Sequence, residues 1–97
     1  MFVGKYSDPN HPEGYREVTM LDEWADGLRL GKCVGGSKDG SEPEHFELPV
    51  KAGKNDDGDF IIIDFSVAPK NGPKDFKGTW DNDGIKFTKD GNKWPRV

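Results

Sequence analysis

The sequence has a single cysteine, few aliphatic side chains, no long apolar run and no surplus of basic residues. Each shortage removes a class of protein. One cysteine, Cys33, excludes an internal disulfide framework, and the N-terminus carries no charged-apolar-small leader, so the chain does not read as a secreted disulfide scaffold. No stretch approaches the roughly 20 apolar residues of a membrane-crossing helix. The expected setting is therefore soluble, reducing and intracellular, in the cytoplasm, with no membrane partner. The net charge of −4 leaves no concentrated basic face for a phosphate backbone, which argues against a nucleic-acid partner. Long helices are also excluded: 13 glycines and 7 prolines punctuate 97 residues too often, and suit frequent turns instead.

What is present is aromatic and charged. Hydrophobic residues make up 32% of the chain and charged residues 33%, a balance that leans toward disorder. Against that stand three Trp, two Tyr and six Phe, together with the run Phe60-Ile61-Ile62-Ile63-Asp64-Phe65, which need a folded interior. A chain this short buries only about 60–65% of its unfolded surface. The expectation is one domain over residues 1–97 with a thin aromatic core and polar loops. Charge is uneven along it. Residues 1–50 carry five Lys/Arg against ten Asp/Glu, and residues 51–97 carry nine against eight. The C-terminal lysines, among them Lys70, Lys77, Lys86 and Lys93, read as solvated strand edges that discourage aggregation.

Alternation marks strands at Met1–Tyr6, Tyr15–Leu21, Leu28–Val34, His45–Val50, Phe60–Val67, Phe76–Trp80, Ile85–Thr88 and Lys93–Pro95. Residues 7–14 form a Pro-locked loop, residues 35–43 a connector of small and charged residues, and residues 51–59 a polar turn. Residues 22–27 are the one stretch that reads as a helical turn or a wide hairpin loop. Asp83-Gly84 and Asp90-Gly91-Asn92 mark hairpin connections. The prediction is all-β: a small antiparallel barrel or sandwich of about 7–8 short strands with at most one short helical turn near 22–27. A barrel suits so short a chain because closure removes exposed edges. Phe60–Val67, the most hydrophobic segment, is the candidate central strand, covered on both faces.

Phe2-Val3-Gly4-Lys5-Tyr6 and Phe76-Lys77-Gly78-Thr79-Trp80 share the pattern F-x-G-x-aromatic. A glycine between two bulky residues of one strand face lets another element pack close. Gly78-Thr79-Trp80, like Gly4-Lys5-Tyr6, resembles the G-x-W signature that opens the first strand of lipocalin and avidin barrels. The resemblance covers only these residues, and what it implies is a barrel, without a ligand.

Three constellations bear on chemistry. Asn55-Asp56-Asp57-Gly58-Asp59 and Asp81-Asn82-Asp83-Gly84 invite an EF-hand reading, but with Gly84 at loop position 6 the first ligand becomes Thr79 and the last Asp90, so the match fails. A non-helical calcium site on Asp81, Asp83 and Asp90 is the residual metal reading; hairpin chemistry explains the same residues, and no metal ligand or cofactor is assigned. Cys33, His11 and His45 sit in no nucleophile motif, and Cys33 reads as an inert, half-buried strand residue. Asp64 lies inside the most apolar segment on the face of Phe60 and Ile62, so it needs donors, with Arg16 and Arg29 as the expected partners.

The leading expectation is a non-enzymatic binding or interaction module with aromatic-rich loops around Tyr6–Tyr15 and Trp80–Trp94. Its partner would be a protein, a small molecule or a carbohydrate. The alternatives are a ligand-binding barrel or enzyme with a polar cavity around Asp64, and calcium-dependent binding through the Asp-rich turns. Candidate ligand-binding residues are Tyr6, His11, Tyr15, Arg16, Asp64, Trp80 and Trp94.

Overall fold

A computed structural model describes residues 1–97 as eight antiparallel strands and no helix. The strands are β1 (Gly4–Tyr6), β2 (Tyr15–Ala25), β3 (Leu28–Gly36), β4 (Phe46–Asn55), β5 (Gly58–Ile63), β6 (Phe76–Asp81), β7 (Gly84–Phe87) and β8 (Lys93–Pro95). Each pairs with its sequence neighbour, in the order β1-β2-β3-β4-β5-β6-β7-β8. A Tyr6–Arg96 bridge, with the Ser7 amide donating to Pro95 O and the Val97 amide to Lys5 O, draws the last strand back to the first and nearly closes the sheet. This is the up-and-down meander, the barrel alternative of the sequence reading.

The period-two pattern fixes what points inward. Val18, Cys33, Leu48, Val50, Ile61, Ile63, Ile85, Phe87 and Trp94 are all buried on the concave side and form one core cluster with Phe2, Tyr6, Phe46 and Phe65. An eight-stranded barrel is just wide enough for side chains to fill it. Small residues opposite large ones make the fit. At Gly78 an added Cβ would lie 2.6 Å from the Ile85 Cγ2, and at Gly4 it would lie 2.9 Å from the Arg96 Nε. Both glycines of the F-x-G-x-aromatic pattern thus sit where a neighbouring side chain crosses the strand.

Four readings of the sequence are corrected. Residues 22–25 form no helical turn. They continue β2 across an irregularity between Met20 and Trp24, and Asp26-Gly27, both with positive φ (53° and 80°), make the hairpin turn. The polar turn expected at 51–59 shrinks to residues 56–57, because Lys51–Asn55 pair with β5 despite their polarity. Being polar is no obstacle on the solvent side of a barrel. Phe60–Val67 is not a central strand covered on both faces: β5 stops at Ile63, with Ile61 and Ile63 buried inside and Ile62 half-buried outside. Cys33 is fully buried rather than half-buried.

The chain reverses direction in two different ways at the two ends. At one end lie the two-residue turns 26–27, 56–57 and 82–83 and both termini; at the other lie the longer loops 7–14, 37–45, 64–75 and 88–92. The turn end is plugged by Phe2 against Trp80, ring centroids 5.8 Å apart, with the Arg96 guanidinium 4.6 Å from the Trp80 ring. Arg96 also donates to the carbonyls of Met1 and Val3. The loop end is organised around a different arginine.

Candidate functional site

Arg16 opens β2 on the inward face, one alternation above Val18, so its side chain must enter the barrel mouth. It is 1% exposed. A buried guanidinium is costly unless its charge and its five donors are met. Glu42 meets two, with Oε2 2.8 Å from Nη1 and Oε1 2.7 Å from Nη2. Asp8 Oδ2 accepts from Nη2 at 3.1 Å and Tyr15 O from Nη1 at 3.0 Å. The planar fork suits the two-point grip on Glu42. The fifth donor, Nε–H, is buried and has no acceptor in the protein. The guanidinium also lies 5.4 Å from the Phe46 ring centroid and 5.2 Å from that of Trp94.

The cluster joins all four long loops. Asp8 comes from loop 7–14 and takes, besides Arg16, the Asn10 amide at 2.9 Å and the Asn92 Nδ2 of loop 88–92 at 3.1 Å. Glu42 comes from loop 37–45 and also takes Lys70 Nζ of loop 64–75 at 3.0 Å. Lys70 in turn stands 4.9 Å from the Phe46 ring centroid and 5.9 Å from that of Phe65. Burial pushes the Glu42 carboxyl up, but the hydrogen bonds and charges of Arg16 and Lys70 together outweigh it and hold the pKa below the ordinary value. Asp8 follows the same logic: burial raises it, and the Asn10 amide, Asn92 and Arg16 bring it below its ordinary value. Both carboxylates are therefore ionised at neutral pH.

Loop 37–45 is built to aim Glu42. Asp39 Oδ1 accepts from Ser37 Oγ and Ser41 Oγ, each at 2.6 Å, and from the Ser41 amide at 2.9 Å. These bonds hold the exposed Asp39 carboxyl down at about 2. His11 Nδ1 lies 3.0 Å from Ser41 Oγ and its Nε2 3.9 Å from Glu42 Oε1. The serine, histidine and carboxylate are near one another, but Ser41 directs its hydroxyl to Asp39. Its oxygen therefore accepts from His11 and is not activated as a nucleophile.

Beside this cluster opens a pocket of about 340 Å³. Its floor is aromatic, from Phe65, Phe76, Phe87 and Trp94: Phe87 and Trp94 pack edge to face with centroids 4.9 Å apart at 75°, as do Phe65 and Trp94, 6.1 Å apart at 83°, while Phe76 and Phe87 are tilted by 32°. Its walls are polar, from Asp8, Asn10, Asp90 and Asn92 on loops 7–14 and 88–92, and from Lys70 on loop 64–75 beside Arg16. Polar groups converge here above an apolar floor in the mouth of a barrel, a place where small-molecule sites recur.

The seven sequence candidates divide. Arg16 and Trp94 line the pocket, and His11 stands behind it against Glu42. Tyr15 faces outward and is half exposed. Tyr6 is buried in the core, its hydroxyl donating to Phe2 O at 2.6 Å. Trp80 belongs to the plug at the opposite end. Asp64 is the clearest departure. It faces outside the barrel and accepts from the Ser66 amide at 2.9 Å, so the ion pair expected with Arg16 does not form. Arg29 instead donates to Leu21 O at 2.8 Å. Asp81 and Asp83 share Lys93, at 3.5 Å and 2.6 Å, whereas Asp90 sits on the loop end, so the three do not meet around a common point.

Sequence reasoning missed Asp8, Glu42, Lys70, Asn92 and the phenylalanines of the floor. The only sequence signal for Glu42 is the Ser37-Lys38-Asp39-Gly40-Ser41 turn chemistry before it, which orders a loop without naming the residue it presents. Comparison of the chain with family models, with curated proteins and with solved structures gave no match.

Proposed function

We propose that this barrel is a non-enzymatic binding module that takes a small molecule at its loop end. The observation that carries the reading is the aromatic-floored pocket beside a fully buried Arg16, whose carboxylate partners draw four loops together. Building this cluster costs desolvation of Arg16, Asp8 and Glu42, and an apolar plug of equal volume would be as stable or more so. The other end of the same barrel is closed mainly by apolar packing, Phe2 on Trp80. A polar network that ties four loops around a pocket is the arrangement expected where a ligand is held and oriented. The volume, at the small end of the range for ligand pockets, favours a compact ligand over a peptide or an oligosaccharide.

A thermal-shift screen across chemical classes tests this, run on the native chain and on Asn10→Trp. Asn10 lines the pocket on an exposed loop, and its side chain makes no hydrogen bond, so tryptophan there obstructs the mouth without removing one. Ligands at 100 times their Kd should stabilise the native chain by about 2.7 kcal/mol and leave Asn10→Trp unmoved. A screen in which nothing raises Tm, or in which both proteins respond alike, refutes the reading.

A further inference from the structure

We infer that the ligand of the loop-end pocket is a small zwitterion with an apolar side chain, of the size and chemistry of phenylalanine or leucine. This rests on the small-ligand reading above and narrows it to one class.

The topology gives the pocket walls of opposite character. Because the Tyr6–Arg96 bridge sets β8 beside β1, loops 88–92 and 7–14 are neighbours and supply Asp8, Asn10, Asp90 and Asn92 together. Loop 64–75 brings Lys70, Phe65 and Pro73 to another side. The charged groups of the two walls differ in how much of their bonding capacity the protein has already used. Asp8 is spent: Oδ1 takes Asn10 and Asn92, and Oδ2 takes Arg16. Asp90 uses one oxygen, which accepts from the Asn92 amide at 2.9 Å, and its second oxygen has no protein donor. On the cationic side Lys70 commits one of its three donors to Glu42, whereas the Arg16 Nε–H is enclosed by protein and closed to a ligand.

The pocket therefore offers a free carboxylate oxygen of Asp90 from one loop and the remaining Lys70 donors from another, above aromatic carbon. A ligand with only an ammonium leaves the Lys70 donors unmet. A ligand with only a carboxylate brings no counter-charge to Asp90. An inorganic anion has nothing for the floor of Phe65, Phe76 and Phe87, and a neutral sugar brings no counter-charge to either Asp90 or Lys70. An α-ammonium and α-carboxylate on one carbon, with an apolar side chain, match all three features.

The test is calorimetry on the full chain with L-phenylalanine, L-leucine, phenethylamine, 3-phenylpropionate and glucose. The two amino acids should bind; the amine and the acid, each missing one charge-assisted bond, should bind at least about tenfold more weakly, and glucose should give no heat. Asp90→Asn keeps an oxygen for the Asn92 amide but removes the charge. It should weaken L-phenylalanine about tenfold and leave 3-phenylpropionate unchanged, a split that a general loss of structure does not produce. Asn10→Trp should abolish binding of both amino acids. Equal affinity for the amine or the acid overturns the zwitterion assignment while the pocket stands. Undiminished amino-acid binding by Asn10→Trp places the site elsewhere and overturns it too. Silence from all five compounds overturns the class; only silence across the broader thermal screen removes the pocket.

Discussion

At the scale of single residues, the molecule turns on Arg16. Its guanidinium holds Glu42 and Asp8 in the barrel mouth, and each of those carboxylates holds a further loop through Lys70 and Asn92. Arg16→Met leaves two buried carboxylates without their shared cation and should cost about 3–5 kcal/mol, read as a lower urea midpoint at unchanged slope. Arg16→Lys should restore little, since an ammonium lacks the two-point fork. The pH dependence follows from the depressed pKa values of Glu42 and Asp8. In the acid range the unfolded chain binds more protons than the folded one, so stability rises with pH there. The stabilisation is whole above the ordinary carboxylate range, roughly pH 4–5, and is lost as pH falls through the lower folded values. Unfolding curves between neutral pH and pH 3 should show this fall, and Glu42→Gln should flatten it while lowering stability at neutral pH. Cys33 gives an independent check on the core. Burial pushes its thiol up to about 12, so a thiol reagent at pH 8 should label the native protein only as fast as it unfolds.

At the scale of elements, alternation was readable and its limits were physical. All eight strands were visible because inward and outward residues alternate, and the turn end was visible because Asp-Gly chemistry marks it. Residues 22–25 were misread for a specific reason. An irregularity between Met20 and Trp24 breaks the alternation, and Leu21–Trp24 are exposed on a part of β2 that β1, ending its pairing at Val18, does not reach. With no buried face there is no period to read. The acids Asp22 and Glu23 and the bulge serve to keep that open edge from pairing with another chain. Trp24 is 64% exposed there while Trp94 is 2% exposed. Acrylamide should therefore quench one emission component readily, and Trp24→Phe should remove that component alone. The glycines separate by role. Gly78→Val drives a branched side chain into Ile85 and should cost about 1–3 kcal/mol by overpacking. Gly27→Ala meets open space at φ +80° and should cost only the backbone term, about 1–2 kcal/mol.

At the scale of the whole molecule, one end of the barrel is closed and the other carries a pocket. Three two-residue turns, both termini and the Phe2–Trp80–Arg96 plug close one. Four loops, drawn together by Arg16, Glu42 and Asp8, shape a pocket at the other. The barrel itself was legible because its cause is local and repeated along the chain. The pocket was only half legible. Arg16 and Trp94 announce themselves as polar and aromatic residues on strands, whereas Glu42 and Lys70 meet across 28 residues of sequence from loops whose composition is that of any surface loop. Asp64 was misassigned for the converse reason: its apolar neighbours Ile61 and Ile63 face inward and it does not, so hydrophobic sequence context stood in for burial. The proposed binding site is this loop end. The most direct measurement is a series of amide nitrogen–proton correlation spectra recorded with increasing L-phenylalanine. Saturable shifts concentrated at Asp8, Asn10, Lys70, Gly72, Asp90 and Asn92, with the turns at 26–27, 56–57 and 82–83 unmoved, are the predicted result. Shifts centred on those turns, or no saturable shift at any amide, would contradict it.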